Sequence, residues 1–266
     1  FLRYCLRLPV FDFSSFETVK TIGDDFLRSC SSMQYILCLS DSVKINSIGV
    51  DFMLDCVRLE ELDFSFLDKD SGLTTIDDSF LDGCLSLKSV KIQGFNNVTT
   101  INKDFLNGCY SLTDFEWLDE TSFKKVTSIG DNFMSQCASI TSFDMSFMDD
   151  LKNVGDHFLS ECYSLENIKF SRNIQSIGSY FLQDCLRGLQ TLDMSGLTSI
   201  TAIGESFLNS CNSLKTLILP ITIGAIPSLE SWGSNLNSLE TIKCGDKLND
   251  YNVKDVWKEK ASLMIA

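Results

Sequence analysis

Hydrophobic positions recur along the chain in three fixed arrangements, and each predicts an element. The first is L-x-x-L-x-L, as in Leu87, Val90 and Ile92 or Leu165, Ile168 and Phe170. Its last three residues alternate in, out, in, the period of a strand with one buried face. The second is a pair three residues apart: Val19/Ile22, Ile45/Ile48, Leu73/Ile76, Val98/Ile101, Val126/Ile129, Leu151/Val154, Ile174/Ile177, Ile200/Ile203 and Ile223/Ile226. Apolar at both places every time, it marks a buried turn of the backbone. The third is F-[LM]-x-x-C, as in Phe133 and Cys137, whose i to i+4 spacing predicts one face of a short helix.

Polar positions punctuate this pattern. The residue after the recurrent Ile or Val is Gly at 23, 49, 130, 155, 178 and 204, Asp at 77 and Asn at 102. These types tolerate a left-handed backbone best, so a corner with positive φ is expected there. Asp24, Asp78, Asp131 and Asp156 follow, where the predicted helix needs an N-cap.

The three arrangements follow one another in constant order, so nearly the whole chain is one segment written repeatedly. The segments align on Cys5, Cys30, Cys56, Cys84, Cys109, Cys137, Cys162, Cys185 and Cys211. Successive cysteines stand 25, 26, 28, 25, 28, 25, 23 and 26 positions apart. Extra residues fall in one loop, as at 68–72 and 120–124. A degenerate unit follows, with Leu236 in the cysteine place and Leu239, Ile242 and Cys244 in its strand. One strand, one corner and one short helix at this period predict a leucine-rich-repeat stack. The expected fold is therefore an α/β solenoid of about ten repeats over residues 1–246, the first incomplete and the last degenerate. Its ten strands should form one parallel sheet, curved with the strands inside because helices need more room. Residues 247–266 leave the repeat. Val253, Val256, Trp257, Lys260, Leu263 and Met264 have helical spacing behind Asn252, which predicts a capping helix. Phe1 to Cys5 matches Phe26 to Cys30, so the chain reads as opening in the middle of a repeat, as a piece of a longer protein would.

The run Ile203-Gly204-Glu205-Ser206-Phe207-Leu208-Asn209-Ser210-Cys211-Asn212-Ser213-Leu214 resembles the BspA-like leucine-rich repeats, and the resemblance extends over about residues 1–245. It departs from their usual form in having Phe-Leu or Phe-Met where Ala-Phe is common. The resemblance implies the solenoid fold and a role in interaction, often at the cell surface or in secreted proteins.

Composition narrows the function classes. Hydrophobic residues make up 44% of the chain and charged residues 22%, the proportions of a folded protein. The net charge of −14 argues against nucleic-acid or anionic-membrane binding, which needs clustered Lys and Arg. No apolar run is long enough for a transmembrane helix, so direct membrane insertion by this segment is not expected. Eleven cysteines raise disulfide and metal readings. A column of one cysteine per repeat, with no C-x-x-C pair and the single His157, does not converge on a tetrahedral site. Stacked helices about 8–10 Å apart would also hold neighbouring cysteines beyond disulfide reach. They read as reduced, small, buried hydrophobes, and reduced thiols would also suit an intracellular setting. His157 reads as an exposed substitution. No nucleophile–base arrangement or phosphate loop can be assembled, so neither an enzyme nor a cofactor is expected. The sequon Asn97-Val98-Thr99 would matter only outside the cell.

What remains is the outward row of the predicted strands. It reads Asp12, Leu37, Asp63, Lys91, Glu116, Asp144, Lys169, Asp193, Ile218 and Lys243, and beside it run Tyr35, Glu61, Asp114 and Asn167. Solenoid faces of this kind bind macromolecules. Tyr35, Glu61, Asp63, Lys91, Asp114, Glu116, Asp144, Lys169 and Asp193 are accordingly the candidate contacts for a protein partner. A scaffold subunit, touching neighbours by its edges, and the recognition region of a larger enzyme are the alternatives.

Overall fold

The computed structural model describes residues 1–14, 18–37, 44–117, 121–220, 231–244 and 251–252. It is a parallel β-solenoid whose coils carry strands on two faces. The broad face holds the strands Val10–Asp12, Tyr35–Leu37, Glu61–Asp63, Ser89–Ile92, Asp114–Trp117, Ser142–Asp144, Asn167–Lys169, Thr191–Asp193, Thr216–Leu219 and Thr241–Cys244. These are the strands of the L-x-x-L-x-L pattern. The narrow face holds two-residue strands ending at the recurrent Ile or Val: Thr21–Ile22, Ser47–Ile48, Thr75–Ile76, Thr100–Ile101, Ser128–Ile129, Asn153–Val154, Ser176–Ile177 and Ala202–Ile203. The buried turn predicted from the apolar pairs is thus a second parallel ladder, not a mere corner.

Register is uniform on both faces. On the narrow face Ile76, Ile101, Ile129, Val154, Ile177 and Ile203 pair in one unbroken sheet. On the broad face Leu62 pairs with Val90 and Val90 with Phe115, keeping one inward row. The broad face is not the one continuous sheet expected: its ladder is interrupted after the Tyr35–Leu37, Asp114–Trp117 and Asn167–Lys169 strands, the second break falling within the long repeat that separates Cys109 from Cys137. A two-residue antiparallel strand, Tyr251–Asn252, closes on the Thr241–Cys244 strand. Apart from that pair, the capping helix expected over 247–266 lies outside the described residues.

The expected helix at F-[LM]-x-x-C is absent from the described residues, and its place is taken by turns of alternating hand. Asp25, Leu27 and Ser29 have positive φ, as do Asp51, Met53 and Asp55, while Phe26, Arg28, Phe52 and Leu54 between them do not. The physical reason is spacing. Phe26, Phe52, Phe80, Phe105, Phe133, Phe158 and Phe181 stack with ring centroids 5.7, 4.9, 5.5, 4.9, 4.8 and 5.0 Å apart. That is close to strand spacing, about 4.8 Å, and half of what packed helices require. A helix would not fit, so the backbone zigzags and sends its N–H groups to neighbouring coils. Asp104 N donates to Asp131 O at 2.8 Å and Gln136 N to Ser160 O at 2.8 Å. The ground for expecting curvature with the strands inside disappears with the helices.

One donor in this turn reverses along the chain. Leu27, Met53, Leu81 and Leu106 donate to the Phe carbonyl of the preceding coil, at 3.1, 2.8, 3.0 and 2.9 Å. Met134, Leu159, Leu182 and Leu208 donate instead to the following coil, at 2.9, 2.9, 3.0 and 2.7 Å. The four that donate backward have positive φ and the four that donate forward do not. The reversal falls at the same junction as the broad-face interruption after the Asp114–Trp117 strand.

The core fills four corners of each coil: the inward strand residue, the narrow-face Ile, the Phe-Leu or Phe-Met of the turn, and the cysteine. Val90, Phe105, Leu106 and Cys109 are fully buried, as are their equivalents Phe158, Leu159 and Cys162. At about 1.5–3 kcal/mol per fully buried large apolar side chain, these rows hold the stack together.

Candidate interaction face

The broad face presents the nine candidate residues on its outer side, in four groups that follow its four ladders. Glu61, Ser89 and Asp114 form one ladder row and Asp63, Lys91 and Glu116 the next. Asp144 stands opposite Lys169, and Asp193 opposite Ile218. Tyr35 lies at the N-terminal end beside Val10, with Leu37 beside Asp12. Tyr35 and Leu37 are 45% and 47% exposed, the largest apolar exposure on this face. The interruption after the Asp114–Trp117 strand separates the first group from Asp144 and Lys169.

Electrostatics differ within the face. Lys169 Nζ donates to Asp144 Oδ2 at 2.8 Å, and Lys91 Nζ lies 3.7 Å from Asp63 Oδ2. Burial alone would raise the Asp144 carboxyl, but hydrogen bonds from Lys169 and Ser146 together hold it below its ordinary value. The same bond raises the Lys169 ammonium. No ion pair forms at Glu61, Asp114 or Glu116 among the described residues, so their charge projects outward.

Three of the nine also terminate their strands, a role the outward-row reading missed. Asp63 Oδ1 accepts from Ser65 N at 2.8 Å, Asp144 Oδ1 from Ser146 N at 2.9 Å, and Asp193 Oδ1 from Ser195 N at 2.9 Å. Asp12 does the same with Ser14 at 2.8 Å. The signal was present as D-F-S at 12 and 63 and D-M-S at 144 and 193, an Asx turn in four copies.

The turn side corrects three further expectations. The glycines after the recurrent Ile or Val do not have positive φ. Their reason is close approach: a Cβ on Gly178 would lie 2.4 Å from the Gly155 carbonyl carbon, and one on Gly204 would lie 2.3 Å from Ser179 N. The aspartates that follow cap the next coil instead of a helix of their own. Asp131 Oδ1 accepts from Asp156 N at 2.8 Å, Asp156 Oδ1 from Ser179 N at 2.7 Å, and Asp24 Oδ1 from Val50 N at 3.1 Å. His157 is half-buried and stacks on Tyr180, centroids 4.7 Å apart.

The nine column cysteines are free thiols, buried except for Cys5. Distance does not keep them apart, since the coils stack at ring spacings of 4.8–5.7 Å on this side. From Cys30 to Cys211 each thiol of the column is instead engaged with a carbonyl of the preceding coil, as Cys109 Sγ with Leu81 O and Cys137 Sγ with Leu106 O, both at 3.3 Å. Burial disfavours the thiolate. It pushes the Cys56 thiol up to about 12 and those of Cys84, Cys109 and Cys137 well above their ordinary value. They are unsuited to act as nucleophiles or metal ligands. Cys38 and the side chain of Cys244 lie outside the described residues. No group of three or more His, Cys, Asp or Glu capable of holding a metal occurs among the described residues, and no helix there is long and apolar enough to cross a membrane.

The repeat and the coil agree with a family match over most of the chain. The BspA type leucine rich repeat region matches residues 2–126 and 127–254, in 6 copies, and the chain belongs to this family. No curated relative matches the sequence. Among solved structures the chain is similar to a leucine rich cell surface protein of Faecalibacterium prausnitzii, at 17% identity and TM-score 0.44, over 90% of this chain and 79% of that one. It is similar to a leucine rich repeat protein of T. pallidum at 17% identity and TM-score 0.45, over 66% and 85%. A third is the pneumococcal vaccine antigen PcpA, at 14% identity and TM-score 0.42, over 90% and 68%.

Proposed function

We propose that the chain is a binding module that recognises another protein through its broad strand face. The observation that carries this reading is the contrast between outward rows. The narrow face repeats small residues, whereas the broad face varies from Tyr35 and Leu37 through Glu61, Asp114 and Glu116 to Lys169. An exposed aromatic and aliphatic pair beside unpaired carboxylates is the composition of an anchor with a charged rim. Binding, with no chemistry on a bound molecule, is what such a surface supports.

A photo-crosslinking amino acid at Tyr35 or Glu116 should capture a partner that the same group at Ser176, on the narrow face, does not. The triple reversal Glu61→Lys, Asp114→Lys and Glu116→Lys should then weaken binding of that partner and slow its association, with a salt dependence smaller than that of the unaltered chain. Unchanged affinity in the triple variant would sink the broad-face reading and leave the scaffold reading, with contacts at the edges.

A further inference from the structure

The stack departs from its period at two places, between Cys56 and Cys84 and between Cys109 and Cys137, where the repeat is longest. Both extra segments come to the same place. Lys69 and Asp70 of the first, Thr121, Lys124 and Lys125 of the second, and Asn96 and Asn97 between them line a hollow with a cavity volume of about 350 Å³.

The walls are held in place. Asn97 Nδ2 donates to Ser71 O at 3.0 Å, and Lys125 Nζ to Asn97 Oδ1 at 2.8 Å. Ser71 Oγ bonds the Gly94 carbonyl, and Ser122 Oγ bonds Asn96 Oδ1 at 3.3 Å. Beneath them Phe64, Phe95 and Phe123 are fully buried, with Phe95 5.3 Å from each of the other two rings. Three consecutive loops are therefore stitched to one another and anchored in the core. A surface prepared in this way binds without first ordering itself.

Its charge runs against that of the molecule. Among the described residues that line the hollow, Lys69, Lys124 and Lys125 face one carboxylate, Asp70, with Asp68 beside it on the same loop, in a chain whose net charge is −14. No carboxylate among the described residues lies within ion-pair distance of any of the three ammonium groups, whereas Lys88, Lys91, Lys103 and Lys169 each have one. Lysine is a compact point charge that binds an oxyanion without demanding a planar partner. The hollow also exceeds what one tetrahedral ion needs and falls in the range of small-ligand sites.

We propose that this hollow is an oxyanion site, and that it takes a sulfate or phosphate group carried on a sugar-sized molecule. Lys69, Lys124 and Lys125 hold the anionic oxygens, and Asn96 and Asp70 face the rest. The site is separate from the broad-face contacts and stands whether or not that surface binds a protein.

The test is titration of the chain with glucose 6-sulfate, and separately with inorganic sulfate, followed by amide NMR at constant ionic strength. Saturating shifts centred on residues 69–72, 94–97 and 121–125 are expected, with the sulfated sugar binding more tightly than the free ion. Equal affinities would assign the site to the free ion and overturn the sugar-sized part of the proposal. The variant Lys69→Gln, Lys124→Gln, Lys125→Gln should lose at least about tenfold in affinity, since charge-assisted bonds are replaced by neutral ones. The Lys125→Gln change keeps a donor for Asn97, and an unchanged far-UV spectrum checks the fold. Shifts that stay linear in concentration, or a triple variant that binds as well as the parent, would overturn the site.

Discussion

The broad and narrow faces are cut from the same coils and carry opposite kinds of sequence. Outward positions on the narrow face are Thr21, Ser47, Thr75, Thr100, Ser128, Asn153, Ser176 and Ala202, all small, and glycine follows in most coils. On the broad face the equivalent positions hold Tyr, Leu, Glu, Asp and Lys. The difference lies in how closely the backbones approach. Beyond the narrow strand, one coil touches the next through the place where a Cβ would sit, as at Gly178. On the broad face the ladder alone sets the distance, and side chains are free to differ. One side is constrained by its neighbours, and the other is available to respond to something outside the chain.

Breaking the constrained side should have the largest effects. Phe158→Ala removes a ring held between Phe133 at 4.8 Å and Phe181 at 5.0 Å. About 3–5 kcal/mol should be lost, seen as a lower denaturant midpoint. Gly178→Ala forces a methyl group against the Gly155 backbone and should cost about 1–3 kcal/mol, through strain in place of a cavity. A Gly178→Ala chain as stable as the parent would mean that the coils can slide apart there.

Smaller effects sharpen the contrast on the broad face itself. Asp63→Ala loses the bond to Ser65 N and should cost about 1 kcal/mol. Glu61→Ala, one row over, should stay within about 0.5 kcal/mol. Thermal melts of the two variants side by side distinguish the strand-ending carboxylate from the outward one.

Acid should act on the two sides with opposite sign. Asp82, on the turn side, is raised to about 6 by burial; the Asn107 amide opposes the shift, and the charges of Asp104 and Asp55 add to it. A proton held more tightly in the folded state contributes stability that is complete below the unfolded value, near 3.8, and lost as pH rises through about 6. Asp82→Asn should therefore melt higher than the parent above pH 6, with the gap closing as pH falls toward 4. Asp144 is lowered, so its contribution is present above the ordinary carboxylate value and fades as acid protonates it. Asp144→Asn should accordingly lose its penalty in acid. Melting curves across pH that moved both variants in the same direction would refute the assignment.

The fold was legible wherever hydrophobic spacing reports it. The inward rows, the buried cysteines and the insertion loops at 68–72 and 120–124 all follow from counting residues. The turn was not legible from that count. Phe133, Met134 and Cys137 occupy one face of a helix and one side of a zigzag equally well. The discriminating signal lay in the polar residues: Asp25, Asp51, Asp104, Asn132 and His157 share one position, and these are the types that best tolerate positive φ. Glycine drew attention to the wrong residue because it answers two demands, left-handed backbone and close approach, which sequence does not separate. The candidate face was legible as a row, since alternation places Glu61 and Asp114 outward. The division of labour between Asp63 and Glu61 depends on which carboxylate meets a backbone N–H. The lysine-lined hollow joins Lys69 to Lys125, two coils further along, and only the stacking of the coils brings them together.

Ladders on two faces bear on how such a chain can change length. Adding one residue to a strand would turn its side chains inside out, and the second ladder would prevent the slip from being absorbed. Loss or gain of an entire unit among the regular coils meets no such obstacle, because each presents a Phe ring, a thiol and a narrow-face Ile or Val to its successor. Unequal recombination between copies is therefore a permitted route of variation for this gene, and point insertion is confined to the loops. The copy number can drift while each remaining coil keeps its shape.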